Sequence, residues 1–398
     1  MKNFSAKRLI TAITAASLLA AALTACSEQS QSSTDDGVSY ENAQYTSVLE
    51  IKDMFKKREL TQEADTSSAT ALTLENGKNI TVSAEGVYTL SGSAENCTVI
   101  VNAGSDAKVQ LVLDGATITN DNSPAILIIS ADKCYVTTTD SENTLKVAGS
   151  FTETEGLNTD AVIHSKDDIA FNGVGTLTID STDKAVAAKD DLRITGGSYN
   201  ISAKGQGFDA NDSIAVNGGE FKISANDGFH CENSDDDSKG YIYIAGGSFE
   251  IDAQDDAFQA CSVIEIDDGE INAKCHEGLE ATVIQINGGK TNIDATDDGV
   301  NATTASKSYS TLIEINGGET TVTVGSGDTD GFDANGDIVI NGGYISVSCN
   351  SAFDYDGKAE YNGGTIIVNG EQVDEIPEPV MPGGGKGGKG DKGDKGGK

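Results

Sequence analysis

Several residue types are scarce in this sequence. Its 398 residues include no Trp, four Pro, three Met and three His. Basic residues are also few, because 27 Lys and Arg stand against 63 Asp and Glu, and the formal net charge is -36 at pH 7. This charge disfavours a nucleic-acid partner, which needs a basic surface. The His residues have no zinc-ligand spacing, and seven Cys in so long a chain do not make a disulfide scaffold.

Glycine, in contrast, is abundant. The chain contains 46 Gly, and 37% of its residues are hydrophobic, which is too many for a disordered protein. This composition is typical of many short strands that are joined by tight turns. The excess of carboxylates predicts a strongly acidic surface.

The first 25 residues have the order of a secretory signal. Basic residues precede an uncharged apolar run over 9–25, and small residues follow. The sequence Leu-Thr-Ala-Cys at 23–26 resembles the lipobox of bacterial lipoproteins. This resemblance implies cleavage before Cys26, lipid on its thiol and a location at the outer face of the bacterial cell membrane. The alternative is an ordinary secretory signal that happens to precede a cysteine.

Composition divides the remainder of the chain into three parts. Residues 26–69 read as a polar tether, with apolar spacing over 45–60 that favours a short helix. Residues 70–372 form one repetitive domain. Residues 373–398 are rich in Gly and Lys, and we expect them to be a disordered tail.

The central domain contains a repeated phrase, an apolar residue followed by Asn-Gly-Gly or a close variant. Copies end at Gly197, Gly219, Gly247, Gly269, Gly289, Gly318, Gly343 and Gly364. Successive copies are 20 to 29 residues apart, with a base period near 21. A period of this length with occasional insertions is typical of a solenoid whose longer loops project on one side.

Each repeat contains two alternating strands around the glycines and a third short strand, typified by Asp-Gly-Phe-x-Ala. In one copy, alternation predicts that Phe221 and Ile223 face the interior, while Glu220 and Lys222 face water. Three short strands cannot close a sandwich locally, but each can pair in parallel with its copy in the next repeat. We therefore predict an all-β right-handed parallel β-helix of about 21 residues per turn, with its handedness taken from the crossover rule.

The third strand carries two columns of mostly polar residues that we expect to face outward. The first column contains Asp160, Asp183, Gln206, Asp227, Asp256, Glu277, Asp298, Asp330 and Ser351. The second contains Ile163, Val186, Asp209, His230, Gln259, Glu280, Asn301, Asp333 and Asp354. Neighbouring copies lie about 4.8 Å apart, where two like charges repel by about 1 kcal/mol in water and by more near a protein surface. Such columns therefore need a cation.

Oxygen ligands from carboxylates, amides and carbonyls suit calcium. One predicted calcium group comprises Asp298 with Asn301, Asp330 with Asp333 and Asn335, and Asp354 with Asp356. The other comprises Asp209 with Asn211 and Asp212, beside Asp227 with Glu232. The alternative is a solvated acidic face that prevents aggregation between sheet edges.

A family resemblance accompanies these patterns. The run Val-Gln-Leu-Val-Leu-Asp-Gly-Ala-Thr-Ile at 109–118, the turn Ser-Lys-Asp-Asp-Ile at 165–169 and the Ile-Asn-Gly-Gly turns carry it. Over residues 68–370 the chain resembles a carbohydrate-binding β-helix family of bacterial surface proteins, first recognised in cellulose-degrading clostridia and akin in fold to pectate lyases. The resemblance implies calcium-dependent or calcium-stabilised binding of cellulose or acidic pectic chains, without established catalysis.

Two other functions remain open. A calcium-dependent polysaccharide lyase that acts on uronate-containing glycans needs a strong base beside the metal. The repeats offer one arginine, Arg193, and several lysines that read equally well as solvated charges. The other alternative is a structural surface spacer or adhesin with a protein partner. The sequence favours the non-catalytic polysaccharide-binding function.

Carbohydrate binding usually involves an aromatic side chain against a sugar face. Because the chain has no Trp, Tyr344 and Tyr355 are the candidate platforms. We expect a monomer whose partners are the polysaccharide and, through the lipid, the membrane.

Overall fold

The computed structural model describes residues 32–35, 38–327 and 329–379, and their side chains from residue 42 onward. These residues form strands, turns and irregular segments without an α-helix, which confirms the all-β prediction for this part of the chain. Among these same residues, no helix has the length and hydrophobicity needed to cross a membrane. The predicted signal and Cys26 lie outside the described residues.

The described residues contain 38 strands, numbered here in chain order. Those before the regular repeats are β1 (Ser32–Asp35), β2 (Val38–Glu41), β3 (Thr70–Thr73), β4 (Ile80–Val82), β5 (Gly86–Glu95), β6 (Val99–Asn102), β7 (Lys108–Asn120), β8 (Ile126–Ser130), β9 (Lys133–Thr138) and β10 (Glu142–Val147). The next are β11 (Ala161–Ser165), β12 (Ile169–Gly173), β13 (Thr176–Ser181), β14 (Lys184–Ala188), β15 (Asp191–Ile194), β16 (Ser198–Ala203), β17 (Phe208–Ala210), β18 (Ser213–Val216), β19 (Glu220–Ala225), β20 (Phe229–Cys231), β21 (Tyr241–Ile244), β22 (Ser248–Ala253), β23 (Asp256–Ala260) and β24 (Val263–Ile266). The last are β25 (Glu270–Cys275), β26 (Glu277–Ala281), β27 (Val283–Ile286), β28 (Lys290–Ala295), β29 (Val300–Ala302), β30 (Leu312–Ile315), β31 (Glu319–Val324), β32 (Asp330–Ala334), β33 (Asp337–Ile340), β34 (Tyr344–Ser348), β35 (Ser351–Tyr355), β36 (Ala359–Tyr361), β37 (Thr365–Val368) and β38 (Glu371–Val373).

The strands form three sheets. Strands β1 and β2 make a separate antiparallel pair. A 12-stranded sheet contains β4, β6, β8, β11, β14, β17, β20, β23, β26, β29, β32 and β35, and the remaining strands belong to a 24-stranded sheet. At the end of the 24-stranded sheet, β38 pairs antiparallel with β37.

From β11 onward each repeat contributes three strands, which we call the first, second and third series. The first series precedes the glycine turn, the second follows it, and the third belongs to the 12-stranded sheet. Strand β15 pairs in parallel with β18 in the first series, β16 with β19 in the second, and β17 with β20 in the third. Each strand therefore lies beside its copy in the next repeat, as the sequence predicts. We call one such repeat a layer.

Inward side chains of successive layers pack directly on one another. Phe229 stacks between Phe208 and Phe258, with ring centroids 5.0 Å away on each side. On the second series, Phe221 stacks on Phe249 at 4.7 Å. All five rings are buried, which confirms the predicted interior face. The six cysteines of the described part form no disulfide.

The repeated Asn-Gly-Gly turn has two structural roles. Its second glycine takes a left-handed conformation, with φ of 125° at Gly219 and 123° at Gly247, which other residues rarely adopt. Its asparagines form a ladder in which Asn316 donates to Asn287 Oδ1 at 2.9 Å and Asn341 donates to Asn316 Oδ1 at 2.8 Å. The motif therefore both turns the chain and joins successive layers.

Residues 42–62, which we call the N-terminal strap, lie across the first series. Near one end of the strap, Asn42 Oδ1 accepts a hydrogen bond from Gly318 N at 3.1 Å. Farther along, Leu49 N donates to Glu265 Oε2 at 2.9 Å. At the other end, Asn172 Nδ2 donates to three carbonyl oxygens of strap residues 58, 59 and 61. The strap thus contacts layers that are far apart in sequence.

These contacts correct two predictions about the flanks. Residues 42–69 contain turns but no helix, and Leu49 and Glu59 are only 8% and 1% exposed, so a polar tether over 26–69 is wrong for this segment. The apolar spacing serves packing against the sheet instead. After residue 373, Ile376 still packs in the core at 8% exposure, so the proposed tail boundary is too early. Residues 380–398 lie outside the described part.

Candidate functional site

The register of the third series determines which polar side chains are neighbours. Asp209, His230, Gln259, Glu280, Asn301, Asp333 and Asp354 align in one column, as predicted. The two earlier members were misplaced by one residue. Val186 pairs with the interior residue Phe208, whereas Ala187 pairs with Asp209. Since Ile163 pairs with Val186, it also belongs to the interior column.

The structure places a lysine next to one of the predicted calcium groups. Lys184 Nζ lies 2.7 Å from Asp209 Oδ2, and His230 Nδ1 lies 2.7 Å from Asp209 Oδ1. Burial acts to raise the pKa of Asp209, but the hydrogen bonds and charges of His230 and Lys184 outweigh it, and the pKa is lowered. Asp209 therefore already has positive partners.

Other members of this group also have protein partners. Asp212 accepts from Lys239 and from Asn233, both at 2.7 Å. Asp227 Oδ2 accepts from Gln206 at 2.8 Å. Glu232 is exposed and lies 3.8 Å from His230 Nε2, and Asn211 takes part through its carbonyl oxygen, 3.9 Å from Cys231 Sγ. The second predicted group is thus a network of ion pairs and hydrogen bonds.

The other predicted group is different, because the charged neighbours that raise the pKa of Asp333 are all acids. Asp298 Oδ1 accepts from Asp330 N at 2.7 Å. Burial raises the pKa of Asp333 to about 7, with further contributions from Asp298, Asp330, Asp354 and Asp356. The structure therefore brings these five acids into electrostatic contact. Asn335 is exposed beside them, and its N–H donates to Ala302 O.

A tighter arrangement lies two layers away from Asp333, among residues that sequence reasoning did not select. One oxygen from each of Asp256, Glu277 and Glu280 lies within 4.8 Å of the others. We call these three residues the acidic cluster. Asp256 is only 3% exposed. Its burial, together with the charges of Glu277 and Glu280, raises its pKa to about 9.

Two amides border the acidic cluster. Gln259 Nε2 donates to Glu280 Oε2 at 2.6 Å, and Asn301 Nδ2 donates to Glu277 Oε2 at 3.0 Å. Asn301 is 9% exposed, and its Oδ1 has no hydrogen-bond partner within the described part of the chain. An adjacent group, His276 with Glu277 and Asp297, also brings ligand atoms within 4.8 Å of one another. All three acids belong to the two predicted columns, but the sequence does not distinguish them there from solvated acids.

The raised pKa of Asp256 predicts an unusual pH dependence for the metal-free protein. The pKa is about 9 in the folded state and near 3.8 when unperturbed, so the folded state binds this proton more tightly. The contribution of this protonated carboxyl group to stability is fully present below about pH 4. The free energy of unfolding should therefore fall as pH rises toward about 9. Urea denaturation in chelator across this window measures the slope. Asp256→Asn should flatten it, and an unchanged slope in that variant would contradict the assignment.

The two candidate aromatic platforms lie apart from the acidic cluster. Tyr344 is half-buried on β34 and pairs with Glu319 and Thr365. Tyr355 ends β35, pairs with Ala334 and packs partly against the hydrophobic core. The two strands belong to different sheets. A role for either tyrosine in sugar binding stays a prediction.

Comparison with known proteins identifies the family. A model of the family described as carbohydrate-binding domain-containing protein matches residues 76–329. A protein of that description from Acetivibrio thermocellus is 32% identical over 130 residues, which are 32% of this chain and 46% of the relative. The chain thus spans about half the length of this curated relative. A solved structure, a gadolinium derivative of the polysaccharide lyase-like protein from C. thermocellum, is 24% identical with a TM-score of 0.48, covering 72% of this chain and 98% of its own. Because the family model covers more than half of its residues, this chain belongs to the family of carbohydrate-binding domain-containing proteins.

Proposed function

We propose that this protein is a calcium-binding, lipid-anchored cell-surface protein that binds plant-wall polysaccharide, cellulose or acidic pectic chains, without cleaving it. The acidic cluster is the observation that carries the proposal. Carbohydrate binding itself is the property that names the family. The bound calcium, the lipid anchor and the absence of catalysis are the further parts of the proposal.

The fold that we propose is a right-handed parallel β-helix. Its support is the register, in which all three series of strands advance by one layer together. Long insertions occur at related places in the repeat and meet each other, since Ser306 Oγ donates to Asp237 O at 2.6 Å. The right hand follows from the rule for crossovers between parallel strands.

The acidic cluster fits calcium chemically. Its donors are all oxygens, and the buried Asn301 Oδ1 adds an acceptor that no described donor satisfies. Calcium tolerates such irregular sets of carboxylate and amide oxygens better than magnesium does. A divalent cation would also offset the burial and the neighbouring negative charges that raise the pKa of Asp256. Asp256, Glu277 and Glu280 would hold the ion, with Asn301 and Gln259 orienting the two glutamates.

Calcium also provides a reason for binding an acidic glycan. With a formal net charge of -36, the chain repels uronate carboxylates unless a cation lies between them. A neutral chain such as cellulose needs no such bridge. Binding of pectic chains should therefore depend on calcium more strongly than binding of cellulose.

Two features of the sheets support a non-catalytic role. Arg193 is 6% exposed, and its Nη2 lies 3.1 Å from Asp191 Oδ2, so this guanidinium is already engaged as an ion pair. Lys184 likewise lies between Asp160 and Asp209. Appearance of unsaturated uronide ends during incubation with pectate would instead establish the lyase.

The anchor and the location rest on the lipobox-like segment that ends at Cys26. We propose that lipid on Cys26 holds a monomer at the outer face of the bacterial cell membrane. More than one acyl chain is needed for stable attachment of such a protein. Detergent partition of the wild-type protein and of Cys26→Ser, both expressed with the signal, tests this part.

Asp256→Asn should weaken calcium binding at least about tenfold, because it removes a buried carboxylate from the proposed ligand set. Isothermal titration calorimetry with calcium measures the change. The matched control is Asp235→Asn, the same substitution at an exposed carboxylate outside the cluster, and it should bind as the wild type does. If the wild-type protein shows neither heat nor a shift of Tm with calcium, the metal assignment is wrong.

Polysaccharide binding is tested with polygalacturonate and cellulose, each with calcium and with chelator. We expect chelator to abolish the binding of polygalacturonate to the wild-type protein, and Asp256→Asn to weaken it. Failure to bind either glycan under both conditions would refute the proposed function and favour the structural spacer or adhesin.

A further inference from the structure

A long groove lies on the second series, away from the acidic cluster. It occupies about 990 Å³ and runs across β13, β16, β19, β22, β25, β28 and β31. Because these strands are parallel neighbours, the groove crosses seven layers and runs along the stacking direction. Its floor is formed by outward side chains at two alternating positions of each strand. An extended chain molecule fits this shape better than a compact ligand does.

Amides and hydroxyls line the groove in register. Asn292 Nδ2 donates to Asn272 Oδ1 at 2.9 Å, and Asn272 Nδ2 donates to Glu250 Oε1 at 2.9 Å. The neighbouring column includes Ser202 and Ser224, which are exposed. Each amide and each hydroxyl can both donate and accept. Sugar hydroxyls need this same mixed set of partners, and here it recurs about every 4.8 Å.

The charges of the groove are mixed and alternate in sign. Its lining includes two lysines and four carboxylates. Lys222 pairs in register with Glu250, and Lys274 lies between Asp252 and Asp294. A polyuronate would meet more negative than positive charge there, whereas a neutral chain pays no such electrostatic cost. The groove therefore favours an uncharged ligand.

We propose that this groove binds one linear, neutral, β-1,4-linked glycan chain lengthwise and that it does so without calcium. Such a chain advances by close to one strand spacing per sugar, so successive sugars meet corresponding positions of the lining in successive layers. The inference deepens the proposed function and rests on it, because it assigns the neutral polysaccharide to its own surface. Acidic chains would depend on the cation site on the other sheet.

Cellohexaose binding, measured by calorimetry in chelator, tests the groove. The wild-type protein should bind, and Ser224→Arg, which places a long side chain in the middle of the groove, should lower the affinity at least about tenfold. Ser248→Arg is the matched control, because Ser248 is exposed on β22 and lies outside the lining. Asn272→Ala combined with Asn292→Ala should also lower the affinity about tenfold, with Tm recorded for every variant.

The outcomes separate this inference from the proposed function. Equal affinity of Ser224→Arg and Ser248→Arg would place the neutral glycan elsewhere and overturn the groove. If the wild-type protein does not bind cellohexaose in chelator but still binds oligogalacturonate in a calcium-dependent way, the groove proposal is overturned while the proposed function stands. If the wild-type protein binds neither oligosaccharide with or without calcium, both fail. Unchanged cellohexaose binding in Asp256→Asn would support two separate surfaces.

Discussion

Replacement of Phe229 by alanine should lower the free energy of unfolding by about 3–5 kcal/mol. The ring is fully buried and stacks on Phe208 and Phe258 at 5.0 Å on each side. It also contacts Phe221 and Phe249 edge to face. Alanine would therefore leave a cavity between four rings, and rigid strands on both sides limit how far the walls can collapse into it.

Urea denaturation followed by circular dichroism measures this loss. Phe229→Leu keeps most of the volume and should cost less than about 1.5 kcal/mol. Lys222→Ala, an exposed substitution on the neighbouring strand β19, should change stability by no more than about 0.5 kcal/mol. A loss below about 1 kcal/mol in Phe229→Ala would mean that the aromatic stack does not hold the layers together.

The second large effect is expected at the N-terminal strap. Lys133→Met should destabilise the protein by about 3 kcal/mol or more, because it leaves the carboxylate of Glu59 buried without its positive partner. Lys133 Nζ lies 2.6 Å from Glu59 Oε1, and Glu59 is 1% exposed. The remaining contact of that carboxylate in this region is a hydrogen bond from Lys56 N at 2.7 Å.

The matched control is Lys108→Met, since Lys108 and Asp132 form an ion pair of 3.0 Å in which both side chains are about half exposed. It should lower the free energy of unfolding far less than Lys133→Met does. Replacing Glu59 and Lys133 together by methionine should recover most of the lost stability, because the buried carboxylate of Glu59 is then gone. The partly exposed Asp168, 3.3 Å from Lys133 Nζ, loses its ion pair in both variants. Limited proteolysis should cut the strap of Lys133→Met first. Equal stability losses in Lys133→Met and Lys108→Met would show that burial of this ion pair does not matter.

The repeat could be predicted because its turns and its interior positions are determined by residues that are close together in the sequence. Glycines with positive φ recur at one point of every repeat, and alternation separates Phe221 from Lys222 on the same strand. The packing of the strap could not be predicted, because its apolar residues have helical spacing while their partners lie far along the chain, as for Met54 and Tyr241, which are 187 residues apart. Leu49, for example, packs beside Val263 and Val283. Periodicity within a segment carries no information about such long-range packing.

The site was predicted in part. The second column was correct from Asp209 onward, but a constant spacing carried back to earlier repeats placed Asp183 where Lys184 belongs. Because of that shift, the sequence did not reveal the ion pair between Lys184 and Asp209. The acidic cluster was missed for a different reason. Asp256, Glu277 and Glu280 stand in two columns, and only their burial and mutual distances distinguish them from the many solvated acids.

The last strand has a consequence for fibre growth. A free edge of parallel strands can recruit a further chain, and repetition of that event builds a filament. Here β38 turns back, and Ile366 pairs with Val373 and Val368 with Glu371, so the outer edge of β37 in the 24-stranded sheet is occupied by the protein's own backbone. The neighbouring edge strand β35 carries the exposed Asp354. At this end of the fold, a second copy therefore finds the edge of β37 already paired and cannot extend the sheet there.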